Sequence, residues 1–129
     1  MLQINNNPYI THNVFGRSGL IVLDRPKALN ALTYDMVKAL FNIFERWKDD
    51  PAISHVVICS DDSRAFCVGG DIRQVRESIN AGNAEAADLF FREEYLLDLA
   101  IAEFGKPVIA LCDGLVMGGG AGLAQHSSH

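Results

Sequence analysis

Phe66-Cys67-Val68-Gly69-Gly70-Asp71-Ile72 is a stretch in which an apolar run stops, two glycines turn the backbone, and an acidic residue stands ready to cap a helix. A second segment, Asp113-Gly114-Leu115-Val116-Met117-Gly118-Gly119-Gly120, likewise reads as a strand that stops, a tight turn and a helix start. A backbone N–H that opens a helix has no intrahelical acceptor and sits at the positive end of the macrodipole. Two such groups aimed at one point make a preformed pocket for a developing oxyanion. Elsewhere in the chain, no nucleophile is paired with a matched base. Each glycine segment also has a plainer role, as a tight turn or as a close strand–helix contact.

Working outward, strands are expected on both sides of these segments. The runs at 56–59 and 108–112 read as fully buried strands, and polar turns follow each of them. Helices are expected over 71–79, and from an Asn83 cap to Phe104, where Gly105 and Pro107 end the pattern. Upstream, 10–15 and 20–23 read as a hairpin around Gly16-Arg17-Ser18-Gly19, followed by a loop at Pro26. Thr33 caps a helix whose Met36, Leu40, Phe44 and Trp47 recur at helical spacing, until Asp49-Asp50-Pro51 stops it. Strands alternating with helices predict an α/β fold with parallel pairing through crossovers.

Composition narrows the function. The 129 residues fit one domain, 49% hydrophobic and 21% charged. A net charge of −5 disfavours a nucleic-acid backbone as partner. No apolar run reaches the length of a membrane span, and residues 1–7 have neither the basic region nor the apolar core of a leader. Cys59, Cys67 and Cys112 match no zinc spacing and lie in apolar runs, so they read as buried reduced thiols in an intracellular protein, with no metal. Two nucleotide motifs fail on register: a dinucleotide fingerprint from Gly118 ends at Leu123, and a phosphate loop from Gly114 has Gly120 where lysine is required.

Glu94 shares one face of the long helix with Phe90, Leu97, Ile101 and Phe104. A carboxylate on an apolar stripe is costly unless paired or functional, so it either faces a site or forms an ion pair at the rim with Arg92 or Arg73. Glu93, one step round, competes for the same role. His126-Ser127-Ser128-His129 lacks supporting carboxylate spacing. Lys27, Arg64 and Arg73 read as solvated charges, one or two of which could meet a ligand phosphate.

Leu23-Asp24-Arg25-Pro26-Lys27-Ala28-Leu29-Asn30-Ala31-Leu32, then Ala65-Phe66-Cys67-Val68-Gly69-Gly70-Asp71-Ile72, then Lys106-Pro107-Val108-Ile109-Ala110-Leu111-Cys112-Asp113-Gly114 with Gly118-Gly119-Gly120, resembles the crotonase (enoyl-CoA hydratase/isomerase) superfamily in order and spacing. Phe90-Phe91-Arg92-Glu93-Glu94-Tyr95 is similar to its 3-hydroxyisobutyryl-CoA hydrolase branch. The resemblance implies a ββα spiral, with residues 1–129 as the N-terminal portion of one core domain. It implies an oxyanion hole from the N–H groups of Gly70 and Gly119, and CoA along Lys27, Ala28, Val68, Asp71 and Ile72. It also implies that Glu94 contacts substrate. Val68 departs from the alanine usual there. CoA would be part of the substrate, with no separate cofactor. The partners implied are an acyl-CoA and further copies of the chain, in the cytoplasm or, in a eukaryote, the mitochondrial matrix. The family's catalytic carboxylates and C-terminal helices lie on later segments, so the chain is expected to be a truncated, inactive piece of a hydrolase of valine breakdown. An enoyl-CoA hydratase or isomerase of fatty acid metabolism and a non-catalytic CoA-binding piece are the alternatives.

Overall fold

In the computed structural model, residues 7–129 are described; the reading of residues 1–6 as no leader lies outside them. The chain opens with β1 (Ile10–Phe15) and β2 (Ser18–Leu23), which are antiparallel with Phe15 opposite Ser18. The turn is therefore two residues rather than the expected four, and Gly16 at φ +59° supplies the positive φ that so tight a turn requires. Ser18 and Gly19 consequently join the strand. Gly19 is covered by the Trp47 ring, which leaves no room for a side chain.

The helix α1 (Tyr34–Lys48) begins as expected: the Thr33 hydroxyl accepts from the Met36 N–H at 3.2 Å, and Asp35 stands in the first turn. Met36, Val37, Leu40, Phe44 and Trp47 are all buried, joined by Ala39 and Ile43. Strand β3 (His55–Ser60) runs parallel to β2. Then follow β4 (Ala65–Cys67), α2 (Ile72–Asn80) and α3 (Ala84–Ala102), capped by Asp71 and Asn83 respectively. Strand β5 (Val108–Ala110) returns parallel to β3, giving a sheet of order β1-β2-β3-β5. Last come β6 (Leu115–Val116), parallel to β4 in a second small sheet, and α4 (Gly119–His126).

The architecture is a repeated turn: a strand of the large sheet, a strand of the small one, then helix. β3, β4 and α2–α3 form one turn, and β5, β6 and α4 the next. The turn before them has β2 and α1, but its second strand is reduced to Leu32, which makes a single parallel bridge to Gly70.

Two expectations about burial are corrected. In β3 only Val56 and Ile58 are buried, while Val57 and Cys59 are half-buried; in β5 only Val108 is buried, and Leu111 and Cys112 lie exposed beyond its end. The described helices bury one face of the large sheet, and side chains alternate across a strand, so every second residue faces outward. Of the three thiols only Cys67 is buried, and burial pushes its pKa up to about 12, which keeps it protonated.

The segment between β2 and α1 is pinned by one fully buried polar side chain. Asn30 sits at φ +59°, a conformation asparagine tolerates, and accepts from the Arg25 N–H at 2.8 Å. Its amide donates to Ser60 Oγ at 2.7 Å and to the Phe66 carbonyl at 3.0 Å. Asn30→Ala is expected to lower unfolding stability by about 3 kcal/mol, because it orphans buried partners. Thr33→Ala, which removes only a cap, should cost about 1 kcal/mol. Urea titration of both variants checks the order.

Candidate active site

The first glycine segment is held on both sides by main chain. The Val68 N–H donates to the Leu29 carbonyl at 3.2 Å, the Leu32 N–H to the Gly69 carbonyl at 2.7 Å, and the Asp71 N–H to the Leu32 carbonyl at 2.8 Å. Gly69 takes φ +104°, and the Gly70 N–H between these bonds has no acceptor among the described residues. Asp71 closes the segment. One of its oxygens accepts from the Arg73 and Gln74 N–H groups, and the other from Arg25 at 2.8 Å. Burial alone would raise the Asp71 pKa, but Arg25 and the two N–H groups outweigh it and hold the carboxyl below its ordinary range. Asp71 is therefore a committed anion with a structural task.

The second segment docks on the first. The Met117 N–H donates to the Cys67 carbonyl at 3.1 Å, Gly118 turns the chain at φ +51°, and Gly119 opens α4 with its N–H likewise free of any acceptor among the described residues. The contact is backbone to backbone. A Cβ on Gly120 would overlap the Cys67 carbonyl, and one on Gly69 would lie 3.0 Å from the Gly119 nitrogen. A Cβ on Gly119 would stand 3.5 Å from the Gly70 nitrogen. The two unpaired amides thus sit on two segments that touch at one seam.

Glu94 reaches that seam from α3. It is 8% exposed, its Oε1 has no hydrogen-bond partner, and a Cβ on Gly119 would overlap that oxygen. Glu93 does not line the cavity there and pairs with Lys38 at 3.5 Å. The ion pair of Glu94 with Arg92 or Arg73 does not form among the described residues. Burial pushes the Glu94 pKa up, and the Asp98 carboxylate adds to it.

The three groups line a cavity of 350 Å³ walled by Phe90, Phe91 and Val75. A groove of 570 Å³ continues from it, sharing Val68, Gly70 and Ile72 and adding Arg25, Lys27, Ala28, Asp71 and Arg73. Lys27, Ala28, Val68, Gly70, Asp71, Ile72, Arg73, Glu94 and Gly119 therefore each line one or both of these adjoining spaces. Arg64 does not: its guanidinium is held by Asp62. No cluster of three or more metal-ligating side chains exists among the described residues.

A family model described as enoyl-CoA hydratase/isomerase matches residues 18–129. The chain belongs to this family. Curated members it resembles include the mitochondrial 3-hydroxyisobutyryl-CoA hydrolases of Danio rerio (45% identical) and Homo sapiens (43% identical), each over 86% of this chain. It spans only 29% and 28% of their respective lengths. Among solved structures, an enoyl-CoA hydratase from Rhodobacter sphaeroides superposes with TM-score 0.90 at 40% identity, covering 94% of this chain and 36% of that one. A carnitinyl-CoA dehydratase from Mycobacterium thermoresistibile gives 0.89 at 37% identity, over 95% and 36%. The ββα turns are thus those of the crotonase fold.

For this family member, sequence reasoning missed the aromatic wall and the Arg25–Asp71 pair. Phe90 was legible only as part of an apolar stripe, yet its ring packs against Gly70, where a Cβ would come within 2.9 Å. Arg25 and Asp71 carry no local signal, since they lie on separate turns of the spiral.

Two outcomes are expected. Gly119→Ala should be destabilising in wild type and much less so beside Glu94→Ala, with a coupling of about 1 kcal/mol or more in a double-mutant cycle. The raised Glu94 pKa stabilises the fold below its ordinary value of 4.5, and that contribution is lost as pH rises through the folded pKa. Glu94→Gln should therefore be the more stable protein in urea titrations near neutral pH, and the advantage should vanish below about pH 4.5.

Proposed function

We propose that this chain carries the thioester-binding half of a CoA-thioester hydrolase acting on short branched 3-hydroxyacyl groups such as 3-hydroxyisobutyryl. The observation that carries the reading is that Gly70 and Gly119, whose N–H groups have no acceptor among the described residues, line one cavity together with Glu94. In this reading the thioester carbonyl oxygen lies between the two amides, an oxyanion hole. The acyl group fills the aromatic cavity, and CoA follows the groove past Val68, Ile72, Lys27 and Arg73. Glu94 hydrogen-bonds the 3-hydroxyl.

In hydrolysis, a water oxygen attacks the carbonyl carbon and negative charge moves to the carbonyl oxygen, where the amides and the α4 dipole receive it. The C–S bond then breaks and CoA leaves as a thiolate that takes up a proton, with the carboxylic acid as the other product. Loss of one such donor costs about 3 kcal/mol in barrier. Activation of the water needs a further base. Asp71 is tied to Arg25 and the α2 cap, and we assign the base to segments of the whole enzyme beyond these 129 residues. The chain alone is then a binding protein without turnover. The localisation in this reading is the mitochondrial matrix, and the whole enzyme is a homo-oligomer of the valine pathway.

The second reading, an enoyl-CoA hydratase or isomerase, uses the same amides to stabilise an enolate, and the solved hydratase that superposes at 40% identity favours it. A 3-hydroxyl ligand separates the two. Calorimetric titration of the 129-residue chain with 3-hydroxyisobutyryl-CoA should give tighter binding than free CoA, and Glu94→Gln should weaken the hydroxylated thioester more than isobutyryl-CoA. Equal weakening would favour the hydratase reading, and no preference for a thioester over free CoA would overturn both. Free-thiol release by the chain should stay at the solvent rate. In the whole enzyme Gly70→Pro, which deletes a donor, should lower kcat/KM by about 10²–10³.

A further inference from the structure

Glu94 is not the only acid on this face of α3 with a buried oxygen. Asp98 follows one helical turn later, so α3 presents two acids along one line toward α4. Each meets a glycine of α4. Glu94 lies against Gly119, and Asp98 against Gly122, where a Cβ would stand 2.9 and 3.0 Å from the two carboxylate oxygens. Each also keeps one buried oxygen, Oε1 of Glu94 and Oδ1 of Asp98, without a hydrogen-bond partner. The Asp98 side chain is only 14% exposed. A buried, unpaired acid oxygen costs stability, and two in register on one helix call for an explanation.

The other charged groups around the pair are few. From α4 comes His126, whose Nδ1 stands 4.0 Å from Asp98 Oδ1 and 2.7 Å from the Gly122 carbonyl. From α1 the ion pair to α3 is Lys38–Glu93, which lies on the neighbouring face. From α2 no ion pair to α3 exists among the described residues. Asp98 therefore faces His126, a cation only when protonated, and has Glu94 as its neighbouring acid.

We propose that Asp98 is a positioning residue for Glu94: seated against Gly122 and faced by His126, it holds α4 in register with α3 and sets the electrostatic field in which Glu94 meets a ligand. A like charge one turn away disfavours ionisation of Glu94. Burial pushes both carboxyls up, while His126 acts in the opposite direction on Asp98. The consequence is a Glu94 that holds its proton to higher pH than an isolated glutamate. In its protonated form it offers an O–H donor, for example to a hydroxyl or carbonyl oxygen, and in its ionised form an acceptor. The ligand-facing part rests on the thioester-binding reading; the coupling of the two acids does not.

The test uses the ligand-free 129-residue chain, with side-chain carboxyl carbons followed by ¹³C NMR across the acid range. Asp98→Asn keeps the shape and removes the charge. The Glu94 midpoint should fall by roughly half a pH unit or more, and the Gly119 amide resonance should move with it. His126→Gln, at a side chain that is 42% exposed and so carries little folding risk, should raise the Asp98 midpoint. An unchanged Glu94 midpoint in Asp98→Asn, or an unchanged Asp98 midpoint in His126→Gln, overturns the proposal. Should Asp98→Asn fail to give a folded spectrum, His126→Gln decides alone. Titration of wild type and Asp98→Asn with 3-hydroxyisobutyryl-CoA over the same pH range then reads the ligand arm. Its pH dependence should shift with the Glu94 midpoint, and a profile that stays in place overturns that arm. Absence of any thioester binding by wild type sinks the functional reading while leaving the carboxyl titrations to stand or fall separately.

Discussion

The structure depends on the main-chain seam between residues 29–32 and 68–71. Three hydrogen bonds cross it, and they consume the N–H groups of Val68, Leu32 and Asp71 while leaving that of Gly70 free. The seam cannot shift, because Asn30 behind it is buried and ties the loop to Ser60 and to the end of β4. In front, Arg25 spans from the Ala31 carbonyl to Asp71, so the cap of α2 and the loop before α1 are fastened by one guanidinium. A partly buried guanidinium nitrogen that bonds both a carbonyl and a carboxylate is worth more than a lone surface pair, whose net value is near zero. The unpaired Gly70 amide is thus a product of the pairing around it.

Absence of side chains fixes the other half of the site. Gly120 and, more narrowly, Gly69 allow two backbone segments to approach within distances that a Cβ would forbid, and the bare Cα of Gly119 leaves room for the Glu94 carboxylate. The polar groups that this approach exposes are then walled by Phe90 and Phe91 and faced by a carboxylate. Low-dielectric walls strengthen every charge interaction inside them, which is why one buried acid in this cavity matters more than several on the rim.

Much of this was legible in the chain. The spacing of Met36, Leu40, Phe44 and Trp47 revealed the buried face of α1, and Thr33, Asp71 and Asn83 marked helix starts through their side-chain acceptors. The glycine segments marked the site because few other contexts need such runs. Burial in β3 and β5 was misread, because an apolar run says that a strand can be covered and not whether both of its faces are. Asn30 gave no local sign of its role: its partners lie at Ser60 and Phe66, and only the fold brings them together. Asp98 was silent for a related reason, since its significance comes from Gly122 and His126 on another helix.

The second sheet has a consequence for the order of assembly. β6 is two residues long and β4 three, so few ladder bonds join the half of the site that carries Gly119 to the half that carries Gly70. Contacts between distant segments form late, after closure of the intervening chain, and the weakest seams are the first to open in a folded protein. A molecule gripping both amides would bridge that seam as a clasp. By mass action, its occupancy would add directly to the stability of the closed spiral.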